Sequence, residues 1–197
     1  MTDTVTMALS ELRGLITKAA RGAGLSWGLA EEAGWAAEWL ARRGMPAADW
    51  ATLWLAARMK GAISPVEVGV LLADDFAFAS LKYDKGLPDG LVAPGFLLPF
   101  LHRLAEADST VSIVSQQGLV ARISSTGEVA FGPFWQPQSS GWQLAKVADA
   151  EQKIDIARRP TVSTSVLECL DGLALRTTVP RSESSRRDAG SIGGDND

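Results

Sequence analysis

Five of the chain's seven tryptophans, Trp27, Trp35, Trp39, Trp50 and Trp54, fall inside one alanine-rich stretch near the N-terminus. Each ring removes a large apolar area from water when buried, so this stretch fixes where the first part of the core lies. Positions 27, 31, 35 and 39 are four apart and follow one face of a helix, which reads Trp27, Glu31, Trp35, Trp39. A neighbouring face offers Leu29, Ala33, Ala36, Ala37 and Leu40, small enough for close helix–helix approach. The rings either fill space between helices or wall a pocket, with Glu31 on the same stripe to meet a cation or donate a proton.

The flanking residues set the helix boundaries. Leu9, Leu12, Ile16, Ala19, Ala20 and Ala23 repeat at three and four, predicting a first helix over about 9–23, stopped by Gly22 and Gly24. Ser26 is an N-cap for a second helix through Arg43, with Arg42 and Arg43 at its negative end. Pro46 opens a third helix to about Met59, and Ser64-Pro65-Val66-Glu67 reads as a capping box for a fourth reaching about Ser80. A loop over 83–95 leads to a fifth helix from about Pro99 to Ala107.

The period then changes. Val111–Ser115, Leu119–Ile123 and Glu128–Phe131 alternate between the turns Gln116-Gln117-Gly118 and Ser125-Thr126-Gly127, which predicts an antiparallel meander. A fourth strand is expected over Trp142–Val147, with helical segments near Glu151–Ala157 and Ser165–Ala174. The fold class expected is α+β. Residues 1–107 form a helical region, 108–180 a small antiparallel sheet with one or two further helices packed on it as one unit, and 181–197 a tail rich in arginine and glycine.

The net charge of −4 divides evenly between residues 1–107 and 108–197. Neither part is a basic surface for a phosphate backbone, so nucleic acid is not an expected partner. One cysteine, Cys169, excludes an internal disulfide and multi-thiolate zinc, and one histidine, His102, excludes multi-histidine metal sites. Cys169 reads as a small buried hydrophobe. No basic region followed by an apolar run opens the chain, and the apolar stretch Leu91–Leu101 is too short to span a bilayer. No membrane is expected, and the expected compartment is the cytoplasm.

Few residues carry chemistry. Glu31 is the leading acid/base candidate and His102 the second, being the side chain that titrates nearest neutrality. Arg186 and Arg187 precede Gly190 and Gly193; glycine amides can turn inward on an anion, and arginine supplies a planar fork for phosphate or carboxylate. The spacing is not that of a dinucleotide or P-loop motif, and the competing reading is a frayed terminus. No cofactor is legible, and no metal site is expected.

Two stretches resemble a proteobacterial family known only as a domain of unknown function. One is Lys18-Ala19-Ala20-Arg21-Gly22-Ala23-Gly24-Leu25 with Trp27-Gly28-Leu29-Ala30-Glu31-Glu32-Ala33-Gly34; the other is the ending Ser185-Arg186, Gly190, Gly193 and Asp195-Asn196-Asp197. They bracket nearly the whole chain, so the resemblance implies a full-length member; the family brings no activity with it. It points to the turn between the first two helices and to the C-terminal end. A looser likeness to malate/lactate-type nicotinamide dehydrogenases fails, because the Ser-His-Gly element is absent and the chain is far too short.

The expected function is a binding module or enzyme for a small anionic metabolite, sited where the tail meets the first two helices. Its ligand-binding residues would be Arg21, Gly24, Trp27, Trp35, Arg186, Arg187, Gly190 and Gly193. The alternative is a non-catalytic assembly subunit whose tryptophan helices form a homo-oligomeric or heteromeric interface.

Overall fold

A computed structural model of the chain describes residues 3–74, 86–105, 109–148 and 159–177. Helix α1 (Leu9–Gly22) fully buries Leu12, Ile16, Ala19 and Ala20, the stripe that the three-and-four spacing predicts. The Ala8 amide donates to Glu11 Oε2 at 2.7 Å, satisfying one of the free donors at the helix start. Helix α2 (Trp27–Arg42) is capped by Ser26, whose hydroxyl oxygen accepts from the Leu29 amide at 3.5 Å. Its alanine face does the packing: Ala33, Ala36, Ala37 and Leu40 have no solvent access. At Gly34 the first two helices touch, since a Cβ there would lie 2.1 Å from Thr17 Oγ1 and 2.8 Å from the Arg13 carbonyl oxygen.

Helix α3 (Ala47–Arg58) follows Pro46 and buries Trp54 and Leu55. Helix α4 (Pro65–Asp74) is capped by Ser64, which accepts from the Val66 and Glu67 amides at 3.2 and 3.5 Å. Glu67 does not turn back to complete a capping box; its Oε1 pairs with Arg58 at 3.0 Å, and Arg58 also donates to the Ala23 carbonyl at 3.1 Å. The end of α1 is thereby tied to α4. The expected continuation of α4 to Ser80 falls on 75–85, outside the described residues. A 3-10 turn (Pro94–Leu97) leads into α5 (Leu98–Leu104), whose start lies one residue before Pro99. The apolar run from Leu91 is the hub of the core: Leu91, Phe96, Leu97, Leu98, Phe100 and Leu101 are fully buried.

The expected meander is present. Strands β2 (Ser109–Ser115), β3 (Gly118–Ser124), β4 (Val129–Phe131) and β5 (Gln143–Ala148) form an antiparallel sheet in the order β4-β3-β2-β5. Val111 opposite Ile123 and Ile113 opposite Ala121 put the apolar set on one face. Trp135 joins Phe131, Trp142 and Trp50 at centroid distances of 4.5, 5.5 and 6.2 Å, so Trp50 links α3 to the sheet as well as packing among helices.

Three-residue strands β1 (Thr4–Thr6) and β6 (Thr161–Ser163) pair antiparallel and feed directly into α1 and α6 (Thr164–Leu175), which pack on each other. The Asp3 carbonyl accepts from the Thr164 amide at 3.0 Å and hydroxyl at 3.1 Å. Of α6, Leu170 and Leu173 are buried while Cys169 is exposed, which corrects its reading as a buried hydrophobe. The segment expected to be helical over 151–157 and the tail 181–197 lie outside the described residues. No helix among the described residues is long and apolar enough to cross a membrane.

Candidate functional site

On α2 and its C-cap the residues Trp35, Trp39 and Arg43 follow one another at intervals of four, about 6 Å apart along the axis. Helix α5 lies alongside and supplies Phe100, His102 and Arg103. The Trp35 ring meets Phe100 edge-on at 5.5 Å, and the Arg103 guanidinium lies 3.8 Å from the Trp35 ring centre. One turn further, Trp39 carries His102 at 5.7 Å and the Arg43 guanidinium at 3.6 Å. Two guanidinium groups are thus stacked on indoles, an arrangement that keeps the planar fork oriented.

The turn between β3 and β4 closes this seam. Arg43 Nε donates to the Gly127 carbonyl at 2.7 Å, and Nη1 to the Trp39 carbonyl at 3.2 Å. His102 Nδ1 lies 3.3 Å from the Ser124 carbonyl oxygen. A carbonyl only accepts, so Nδ1 carries the proton and Nε2 presents its lone pair. The turn holds itself: the Gly127 amide donates to the Ser124 carbonyl at 2.9 Å, and Ser124 Oγ meets Thr126 Oγ1 at 2.7 Å. Gly127 has φ +82°, and a Cβ there would lie 2.4 Å from Arg43 Nη2 and 3.2 Å from His102 Cε1. Both the backbone and the neighbours require glycine.

Burial lowers the His102 pKa below its ordinary value, the Ser124 bond opposes this, and the Arg43 charge adds to the lowering. Arg43 is itself lowered by burial and by Arg42. The ring therefore stands neutral at pH 7 beside a cation. Glu32 Oε2 lies 3.0 Å from Arg103 Nη2 without hydrogen-bond alignment, so this buried oxygen has an ionic neighbour and no bonded donor. The seam can hold a small anion on the guanidinium edges and exchange a proton at His102 Nε2.

The structure separates the sequence candidates into three places. Arg21, Gly24 and Trp27 meet at the first turn: Arg21 Nη1 donates to the Leu25 carbonyl, its guanidinium lies 4.7 Å from the Trp27 ring centre, and Gly24 takes φ +89°. Trp27 itself is 66% exposed, and Glu31 is exposed. Trp35 turns to α5, and His102 to the sheet. Arg186, Arg187, Gly190 and Gly193 lie outside the described residues. Arg43, Arg103, Glu32 and Gly127 were not singled out for a site. The spacing of Trp35, Trp39 and Arg43 was legible, but Arg43 reads first as a complement to the helix dipole.

The fold and the seam define an α+β protein in which an aromatic helical layer is stitched to a small sheet through arginine and histidine. Over its N-terminal part the chain is similar to one family: residues 7–58 match the model described as Protein of unknown function (DUF3726). The match takes in α1 to α3, and with them Glu32, Trp35, Trp39 and Arg43; the C-terminal ending that shared the resemblance lies beyond it. No curated protein and no solved structure matches the chain.

Proposed function

We propose that this protein binds a small anionic metabolite at the seam between α2, α5 and the β3–β4 turn, with His102 Nε2 as the proton-accepting group. The observation that carries the reading is the pair of indole-stacked guanidiniums, Arg43 and Arg103, flanking a neutral histidine. A preoriented guanidinium fork matches a carboxylate or phosphate bidentately. The half-satisfied Glu32 oxygen supports the reading further, since a ligand hydroxyl or ammonium group would supply its missing donor.

Tryptophan fluorescence is the direct test, because Trp35 and Trp39 are the platforms. Titration with inorganic phosphate, succinate and malonate is expected to give saturable quenching that Arg43→Gln and Arg103→Gln both weaken. No saturable change with any of the three, or one that both variants leave intact, overturns the proposal. Deleting residues 181–197 and repeating the titration asks whether Arg186, Arg187, Gly190 and Gly193 contribute; unchanged affinity removes them from the site.

A second reading has its own observation. Trp27 is 66% exposed under the Arg21 guanidinium, and tryptophan and arginine are the residue types that dominate interface energetics. On this reading the turn is a docking point for another chain. Native mass spectrometry across protein concentration tests self-association, and Trp27→Ala is expected to abolish any oligomer found; a strict monomer counts against the homo-oligomer.

A further inference from the structure

We propose that a second cleft, at the end of the four-stranded sheet where β5 starts, binds a neutral saccharide. It has a volume of about 380 Å³ and is walled by the β2–β3 turn, the stretch before β5 and the loop around Asp89. That volume is within the roughly 300–1,000 Å³ of small-ligand sites. It is separate from the seam above: none of Arg43, His102 or Arg103 lines it.

The walls are fixed by bonds that do not involve the side-chain amides of the lining. Leu87 and Gly90 amides donate to the Trp142 and Ser139 carbonyls at 2.8 and 2.9 Å, and the Ser139 amide returns to the Leu91 carbonyl at 3.1 Å. Ser139 Oγ donates to the Pro88 carbonyl at 2.6 Å and accepts from the Leu91 amide at 2.9 Å. The Gly141 amide donates to Asp89 Oδ1 at 2.6 Å. Across the cleft, Ser115 Oγ accepts from the Gln117 amide at 3.2 Å and donates to the Gly118 carbonyl at 3.3 Å. A cleft held this way needs little ordering on binding.

The lining chemistry selects the ligand. Gln116, Gln117 and Gln136 present side-chain amides, and Ser140 a hydroxyl, that have no bonded partner among the described residues. Each amide offers a donor beside an acceptor, which suits neighbouring hydroxyls that both donate and accept. Among the described residues Asp89 is the one charged residue of the lining, and its carboxylate disfavours an anion there. Phe134 adds ring surface for the C–H face of a pyranose, while Trp142 is buried and packs on Trp135, backing the wall. The Phe134 ring is held against the hairpin turn, where a Cβ at Gly118 would stand 3.1 Å from its Cε2.

Saturation-transfer NMR on the full chain with methyl glucoside, methyl galactoside and methyl N-acetylglucosaminide tests this. Transfer to pyranose ring protons is expected for one or more of the three, with affinity reduced about tenfold by the double variant Gln116→Ala/Gln136→Ala. Both positions are exposed, Gln116 in the hairpin turn and Gln136 in the loop after β4, and circular dichroism checks that the fold is kept. Excess inorganic phosphate is expected to leave the transfer unchanged, which separates this cleft from the anion seam. No transfer from any of the three glycosides, or transfer that the double variant leaves intact, overturns the proposal.

Discussion

Gly34 of α2 sits so close to Arg13 of α1 that a methyl group on it would stand 2.8 Å from the Arg13 carbonyl oxygen. That separation is below what a carbon and an oxygen tolerate, and Thr17 Oγ1 is nearer still. Gly34→Ala therefore forces the two helices apart and is expected to cost about 1–3 kcal/mol. Gly14, on α1 with nothing within 4 Å of its would-be Cβ, is the control. Gly14→Ala is expected to stabilise by about 0.4–1 kcal/mol through helix propensity and a less mobile unfolded chain. Urea midpoints of the two variants should move in opposite directions.

His102 gives the fold a pH dependence of definite sign. An unfolded histidine takes up its proton near pH 6.5, whereas the folded ring takes it up at lower pH because burial lowers its pKa. Between those values the unfolded state binds more protons, so stability falls as pH drops from about 6.5 toward the folded pKa. His102→Asn, whose amide can still donate to the Ser124 carbonyl, should flatten the stability curve across that window. Because the chain holds one histidine, proton NMR reads its titration directly. A folded midpoint at or above the unfolded one contradicts the assignment.

Arg43 is expected to be the costliest polar substitution at the seam. Arg43→Gln removes two charge-assisted bonds to carbonyls and the stacking on Trp39, an expected loss of about 1.5–3 kcal/mol. Arg43→Lys should recover little, since a single ammonium cannot reach both carbonyls while lying flat on the indole. Thermal melts of the two variants that agree within error would bear this out; a wild-type melt for the lysine variant would not.

Cys169 is exposed on α6, and it is the one thiol of the chain. A thiol reagent such as dithionitrobenzoate is expected to modify one equivalent per chain without denaturant. Reaction that waits for unfolding would show that the residue is covered.

Much of the fold was legible because its signals are local. The stripe from Leu12 to Ala20, the Ser26 cap and the glycine turns of the meander each depend on residues a few positions apart. Strands β1 and β6 were not, because three residues carry no periodicity and their partners, Thr4 with Ser163 through Thr6 with Thr161, lie near opposite ends of the described chain. The site divides the same way. The spacing that stacks Arg43 on Trp39 can be counted in the sequence, yet nothing local says that α5 and the Gly127 turn meet it. Glu31 shares a stripe with three tryptophans, but that stripe twists from solvent at Trp27 to the α5 contact at Trp35, leaving the carboxylate outside.

The β1–β6 pairing also bears on synthesis. Strand β1 and the flank of α1 that receives α6 are among the first parts of the described chain to leave a ribosome, and their partners are among the last. Until α6 has been made that flank has no cover from it, and the closing contact spans 161 positions. Emergence of α6, rather than of the tryptophan helices, is then the step that covers this flank.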